Sequence, residues 1–301
     1  MRTIKINFAD FWPNFSKTDN YFYLLLKQKY DVVISEDPEL IFFSVDYPNK
    51  KERDRYPNAK KVFFTGENVR PNFGLSDQDY PRYSIGPCDV ALSFDPTHGR
   101  NYRFPLWAFF INWFGGEYDH NRDPAYLIPL TDLDRKNQNY PKSKFCNFVF
   151  SNTSGERVNI FHLVSSYKRI DSYGTLLNNS GVVVPGRGDQ IDKINLIKNY
   201  KFTISAENSK FDGYTTEKMI HPMSVGSVPI YWGSDMVESD FNNSAFINAN
   251  RLSEKDLVDL VRHIDNDERA YTAMTSAPIF AENALEVVSP DSILRFIESI
   301  L

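Results

Sequence analysis

The sequence predicts an α/β chain built as two successive parallel-sheet units, and three observations carry that reading. Short apolar runs rich in β-branched and aromatic residues recur through the first third, at 4–8, 32–35, 40–45, 62–65 and 90–94. Runs of that length without polar alternation are strands buried on both faces. A helix-forming stretch at 21–29 separates the first two, so the order is strand, helix, strand, which favours a parallel sheet. From about 115 to 144 the chain turns polar and contains Pro124, Pro129 and Pro141, the mark of a linker or an exposed excursion.

A second series follows that stretch. It reads as a strand at 145–150, a helix at 156–167, a helix at 189–199, a strand at 200–205, a helix at 216–225, a strand at 228–231 and a helix at 254–264. That alternation is the pattern of a doubly wound nucleotide-binding unit. The closing segment, 291–301, carries Ile293, Leu294, Phe296, Ile297 and Ile300 on one broad face, so it is a helix that must dock. The expected division is a first domain over 1–140, a second domain over 141–285, and a terminal helix over 286–301 that packs back on the first.

Composition narrows the function. The 301 residues hold 42% hydrophobic and 24% charged side chains, a folded globular balance. With 34 Lys and Arg against 39 Asp and Glu, the net charge of -5 argues against a general nucleic-acid binder. Cys88 and Cys146 are too few for a disulfide framework or a CxxC metal site and fit a reducing compartment, and their pairing stays open. No apolar run is long enough to span a bilayer, and Asp10 and Pro13 interrupt the start where a signal peptide would be apolar. A cytoplasmic location is the expectation. The five histidines, His98, His120, His162, His221 and His263, have no shared ligand spacing.

Ligands of open parallel sheets bind beyond the carboxyl ends of the strands, which selects three loops here. The loop 66–68 places Glu67 directly after a strand, as a candidate base or as a carboxylate bonded within its own turn. The loop 151–155, with Ser151 and Asn152, opens a helix whose first turn holds Arg157. A helix N-terminus and a guanidinium together suit a phosphate, and the plain alternative is an exposed arginine paired with Glu156. The loop 206–216 offers Asn208, Ser209, Gly213 and a stacking face on Tyr214, then a helix start with Glu217 and Lys218. Glu217 suits ribose hydroxyls and Lys218 a phosphate, against the commoner fate of a dipole partner and a solvated charge.

The stretches FFTGENVRPNF, CDVALSFD, YRFPLW, FCNFVFSN with Arg157, and YKFTISAENSKFDGYTTEKMIHPMSVGSVPIYWG, followed by DFN and FIN, resemble the GDP-fucose-dependent α-1,3/1,4-fucosyltransferases of glycosyltransferase family 10, bacterial type. The likeness runs from about 60 to 250; the first 55 and last 50 residues carry no matching motif. It implies a GT-B fold, two Rossmann-like doubly wound domains facing across a cleft, with the acceptor on the first and the donor on the second. By resemblance Glu67 is the general base, Arg157 and Lys218 hold the donor pyrophosphate, and Glu217 meets ribose or fucose hydroxyls. Asn208, Tyr214, Ser151 and Asn152 line the donor site, and the acceptor-side candidates are Asn68, beside Glu67, with Phe73 and Trp113 in the variable loops 72–83 and 109–119.

The implied reaction is inverting transfer of L-fucose from GDP-β-L-fucose to a hydroxyl of a GlcNAc- or Glc-containing glycan, in α-1,3 or α-1,4 linkage. No metal or other cofactor is required by that scheme, and any stimulation by divalent ions would act without a dedicated site. The implied partners are GDP-fucose and an oligosaccharide acceptor, free or lipid-linked, which leaves room for peripheral contact with an inner membrane. No segment of these 301 residues resembles the amino-terminal anchor of animal Golgi members or the heptad repeats and basic tail of some bacterial ones, so a compact bacterial-type enzyme is the expectation. Three other readings compete. One is a metal-dependent GT-A enzyme using Asp77-Gln78-Asp79 or Asp132-Leu133-Asp134, which read better as surface turns. The others are a transferase of a different sugar nucleotide and a binding module without turnover.

Overall fold

The computed structural model describes residues 1–45, 52–68, 88–116, 126–138, 140–184 and 190–301. The first unit is a six-stranded sheet of β1 (Thr3–Ala9), β2 (Asp31–Ile34), β3 (Leu40–Phe43), β4 (Lys60–Thr65), β5 (Val90–Ser93) and β6 (Asn101–Arg103). The order is β2-β1-β3-β4-β5-β6 and every pair is parallel. β3 and β5 are buried along their whole length, as continuous apolar runs in a covered parallel sheet must be. Helix α1 (Tyr21–Lys27) starts where the Asn20 side chain accepts a hydrogen bond from the Tyr23 N–H, and it buries Phe22, Leu25 and Leu26.

Of the stretch expected to be a linker or an exposed excursion, the described residues 126–138 are instead part of the packing. After α2 (Leu106–Phe109), the short strands β7 (Ile111–Asn112) and β8 (Ile128–Pro129) pair in parallel. Ile128 and Leu133 are buried, and Arg135 and Gln138 both donate to the Met223 carbonyl. These two side chains, in the stretch read as exposed, add donors to a carbonyl in the last turn of the helix over Glu217–Ser224.

The second unit is a five-stranded parallel sheet in the order β10-β9-β11-β12-β13. Its strands are β9 (Lys144–Phe148), β10 (Asp171–Ser172), β11 (Tyr200–Ala206), β12 (Val228–Trp232) and β13 (Ile247–Asn248). Its helices are α3 (Gly155–Tyr167), α4 (Gln190–Ile197), α5 (Glu217–Ser224), α6 (Glu254–Asn266) and α7 (Glu268–Ser276). Two short helices close the chain, α8 (Ala284–Val287) and α9 (Pro290–Glu298). From α9, Glu298 accepts from the Tyr30 hydroxyl at 2.6 Å, and Ile293 and Ile297 join the apolar cluster that holds Leu25 and Leu26.

That cluster does not stop at the first sheet. Met219, Ile220 and Met223 of α5 belong to it, and Trp107 packs on Phe241 with ring centroids 5.3 Å apart. Apolar burial therefore joins the two units as well as filling each. Cys88 and Cys146 are buried and not joined in a disulfide, Cys88 just before β5 and Cys146 within β9; burial pushes the Cys88 thiol up to about 12. Among the described residues no helix is long and apolar enough to cross a membrane.

Candidate active site

Glu67 stands in the turn that leaves β4. Gly66 precedes it, and a Cβ there would press on the Leu106 side chain, which would have to shift. The Thr65 hydroxyl accepts from the Glu67 N–H at 3.2 Å and donates to the Glu67 carbonyl at 3.1 Å, which fixes the backbone. The Glu67 side chain is exposed, and its Oε2 accepts from the Tyr214 hydroxyl at 2.8 Å. Asn68 is buried and donates to Ser209 Oγ at 2.9 Å. The carboxylate is thus bonded across to the other unit and not within its own turn.

Tyr214 departs from the sequence reading. It is fully buried and offers no stacking face: its ring meets Phe94 edge-on, and its hydroxyl reaches Glu67. Gly213, at φ +80°, brings the loop against the first unit so closely that a Cβ would lie 2.1 Å from the Phe94 carbonyl oxygen. That approach leaves the ring no open side.

The loop after β11 hides a residue the motif reading passed over. Glu207 is fully buried and accepts from the Thr216 N–H at 3.0 Å and the Thr216 hydroxyl at 2.9 Å. Lys218 Nζ lies 3.2 Å from its Oε2 and 3.4 Å from Glu217 Oε1. Thr216 is also the N-cap of α5, accepting from the Lys218 N–H. Burial drives the Glu207 carboxyl up, only partly offset by Lys218. Burial presses Glu217 upward too, but the Lys218 and Lys193 ammonium groups outweigh it and hold the group down at about 2. Against burial, the Glu207, Glu217 and Glu67 charges hold Lys218 above its ordinary value, so Glu67 shares the field of this cluster. Lys193 on α4 is the second residue missed; burial lowers it, and it lines a small cavity with Phe150, Ser205, Lys218 and Pro222.

Arg157 is in place but differs from the expected open fork. Its guanidinium lies 4.3 Å from the Phe150 ring centroid. Nε and Nη2 both donate to the Ala206 carbonyl at 3.1 Å, and Nη1 donates to the Asn152 carbonyl at 3.0 Å. Three of its five N–H donors brace the loops after β9 and β11, and two have no partner among the described residues. Burial lowers it, against the nearby Glu207 charge. Ser151 and Asn152 are exposed beside it, and Ser154 caps α3. Asn208 is half-buried, its Oδ1 accepting from Ser209 Oγ at 3.3 Å.

Of the residues expected to meet an acceptor, Trp113 is half-buried with its indole N–H bonded to the Ala108 carbonyl at 2.8 Å, so this donor is already engaged within its own segment. Phe73, the whole loop 72–83 containing it, and Asp77-Gln78-Asp79 lie outside the described residues, as does His120. Asp134 caps the turn that begins at Arg135, accepting from the Lys136 N–H. His221 is buried in α5 against Phe110, and burial lowers it to about 3.

Two sequence profiles match the chain: the fucosyltransferase FucT N-terminal domain over residues 6–110, and glycosyltransferase family 10 (fucosyltransferase), C-terminal, over 139–275. Each falls on one of the two sheets, in the order of the chain. The chain belongs to the family 10 glycosyltransferases. Among its family relatives, the alpha-(1,3)-fucosyltransferase FucT of Helicobacter pylori is 27% identical over 298 residues, covering 90% of this chain and 59% of that protein. The chain thus spans about three fifths of that relative. A crystal structure of an alpha1,3-fucosyltransferase superposes with a TM-score of 0.71 at 25% identity, over 99% of this chain and 90% of the other. A crystal structure of an alpha1,3-fucosyltransferase with GDP-fucose gives 0.70 at 23% identity, again over 99% and 90%. The fold of this family member is GT-B.

Proposed function

We propose that the chain transfers L-fucose from GDP-β-L-fucose to a hydroxyl of a GlcNAc- or Glc-containing glycan, with inversion, forming an α-1,3 or α-1,4 linkage. One observation carries the reading. An exposed carboxylate on the first unit, Glu67, is bonded across to the loop that leads into the cluster of buried Glu207 with half-buried Glu217 and Lys218 on the second. An acceptor hydroxyl gives its proton to Glu67 as its oxygen bonds to the anomeric carbon of fucose. The bond from that carbon to the β-phosphate oxygen breaks, its electron pair leaving with GDP, through an oxocarbenium-like state.

The growing charge on GDP is met by Lys218 and by the two uncommitted N–H groups of Arg157, a cationic pair aimed at phosphate oxygens. Glu217, held ionised beside Lys218, is suited to accept hydroxyls of the donor. These residues supply the stabilisation that other transferases draw from a divalent ion, so turnover is expected to survive EDTA. The test is incubation with GDP-fucose and a panel of GlcNAc- and Glc-containing glycans, reading product mass and anomeric configuration. An α-linked fucoside supports the proposal. Hydrolysis of the donor alone, a β-linked product, or turnover that stops with EDTA and returns with a divalent ion overturns it.

A further inference from the structure

Glu67 has three side-chain torsions and an exposed position, so nothing in its own turn beyond the backbone bonds to Thr65 aims its carboxylate. Among the described residues one hydrogen bond does so, from the Tyr214 hydroxyl to Oε2, and Oε1 accepts none. The donor of that bond is rigid. The Tyr214 ring is fully buried beside Phe94, and its N–H donates to the Phe211 carbonyl at 3.1 Å. On either side of it, the Gly213 carbonyl accepts from Arg103 Nη2 at 3.1 Å and the Thr215 hydroxyl donates to Asp240 at 2.5 Å. A phenol held so firmly, with its only polar atom on the carboxylate, orients a group and does not stack on a ligand.

Resting on the reading of Glu67 as base, we infer that Tyr214 is a positioning residue: from the donor-side loop it engages one carboxylate oxygen of Glu67 and leaves the other turned to the acceptor hydroxyl. The loop 207–216 that carries Tyr214 also bonds Asn68 through Ser209 and Lys218 through Glu207. Correct aim of the base therefore depends on the seating of the unit that holds the donor.

The test is Tyr214→Phe, which keeps the ring and removes the hydroxyl. Transfer kinetics, GDP affinity by calorimetry and Glu67→Gln are measured beside it. The expected result is a fall in kcat of about 10- to 100-fold, with KM for GDP-fucose and GDP affinity within about twofold of the unmutated protein. Unaltered GDP binding shows that the donor unit is folded and that the loss is one of alignment. A raised KM and weakened GDP binding at unchanged kcat overturn the inference and make Tyr214 a donor contact. Unchanged kinetics in Tyr214→Phe with transfer abolished in Glu67→Gln also overturn it, while the base reading stands. Full turnover in Glu67→Gln removes the base reading itself.

Discussion

Arg103 and Asp240 form a buried two-pronged ion pair between the units, with Nη1 2.5 Å from Oδ1 and Nη2 2.7 Å from Oδ2. Arg103 ends β6 of the first sheet, and Asp240 follows β12 of the second. The Thr215 hydroxyl and the Gly213 carbonyl complete the network, so the loop beside the candidate base is tied to both partners. Removing one partner leaves a buried charge alone, which costs about 3–5 kcal/mol. Asp240→Asn or Arg103→Ala should lower unfolding stability by that order in urea titration. A loss under about 1 kcal/mol would mean that the pair does not clamp the units.

Glu67→Gln keeps the shape of the side chain and still accepts from Tyr214, but it takes no proton. Transfer should fall about 100- to 10,000-fold while calorimetry returns nearly unchanged GDP affinity. Retained turnover would place the base elsewhere.

Lys218 and Glu207 are predicted to separate stability from donor binding. Lys218→Met leaves the buried Glu207 carboxylate unpaired, which should destabilise the fold by about 3 kcal/mol and raise KM for GDP-fucose at least about tenfold, as loss of a charged contact does. Adding Glu207→Gln to Lys218→Met should recover much of the stability and none of the donor affinity. Recovery of both would assign Lys218 a purely structural part.

His221 sets a pH dependence. Its folded-state value near 3 lies below the unfolded 6.5, because burial disfavours the imidazolium. The unfolded chain therefore binds this proton first as pH falls. The stability from the buried neutral ring is complete above 6.5 and declines by about 1.4 kcal/mol per pH unit until about 3. His221→Leu should flatten that part of the profile in urea titrations at stepped pH; an unaltered slope would exclude His221 as its source.

Some of this was readable from neighbours in the chain. Uninterrupted apolar runs such as 40–43 and 90–93 declare buried parallel strands, and Ser154 and Thr216 announce the helices they cap. The loops after β4, β9 and β11 could be picked out because a parallel sheet presents its carboxyl ends to a ligand. Two-residue strands such as β10 and β13 leave no periodic trace. Arg135 and Gln138 looked solvated because nothing local says that they reach Met223.

The amino-acid order by itself determined the two α/β units, the helix caps and the residue types gathered at each loop, since these depend on contacts a few positions apart. Only the tertiary structure decided that Tyr214 is buried and bonded to Glu67, 147 positions away, that Glu207 is the hidden counter-charge of Lys218, and that Arg157 already braces two loops. Hydrogen bonds and desolvation act over a few ångströms of space without regard to sequence separation, so the partner that gives a side chain its role appears only when the sheets are brought together.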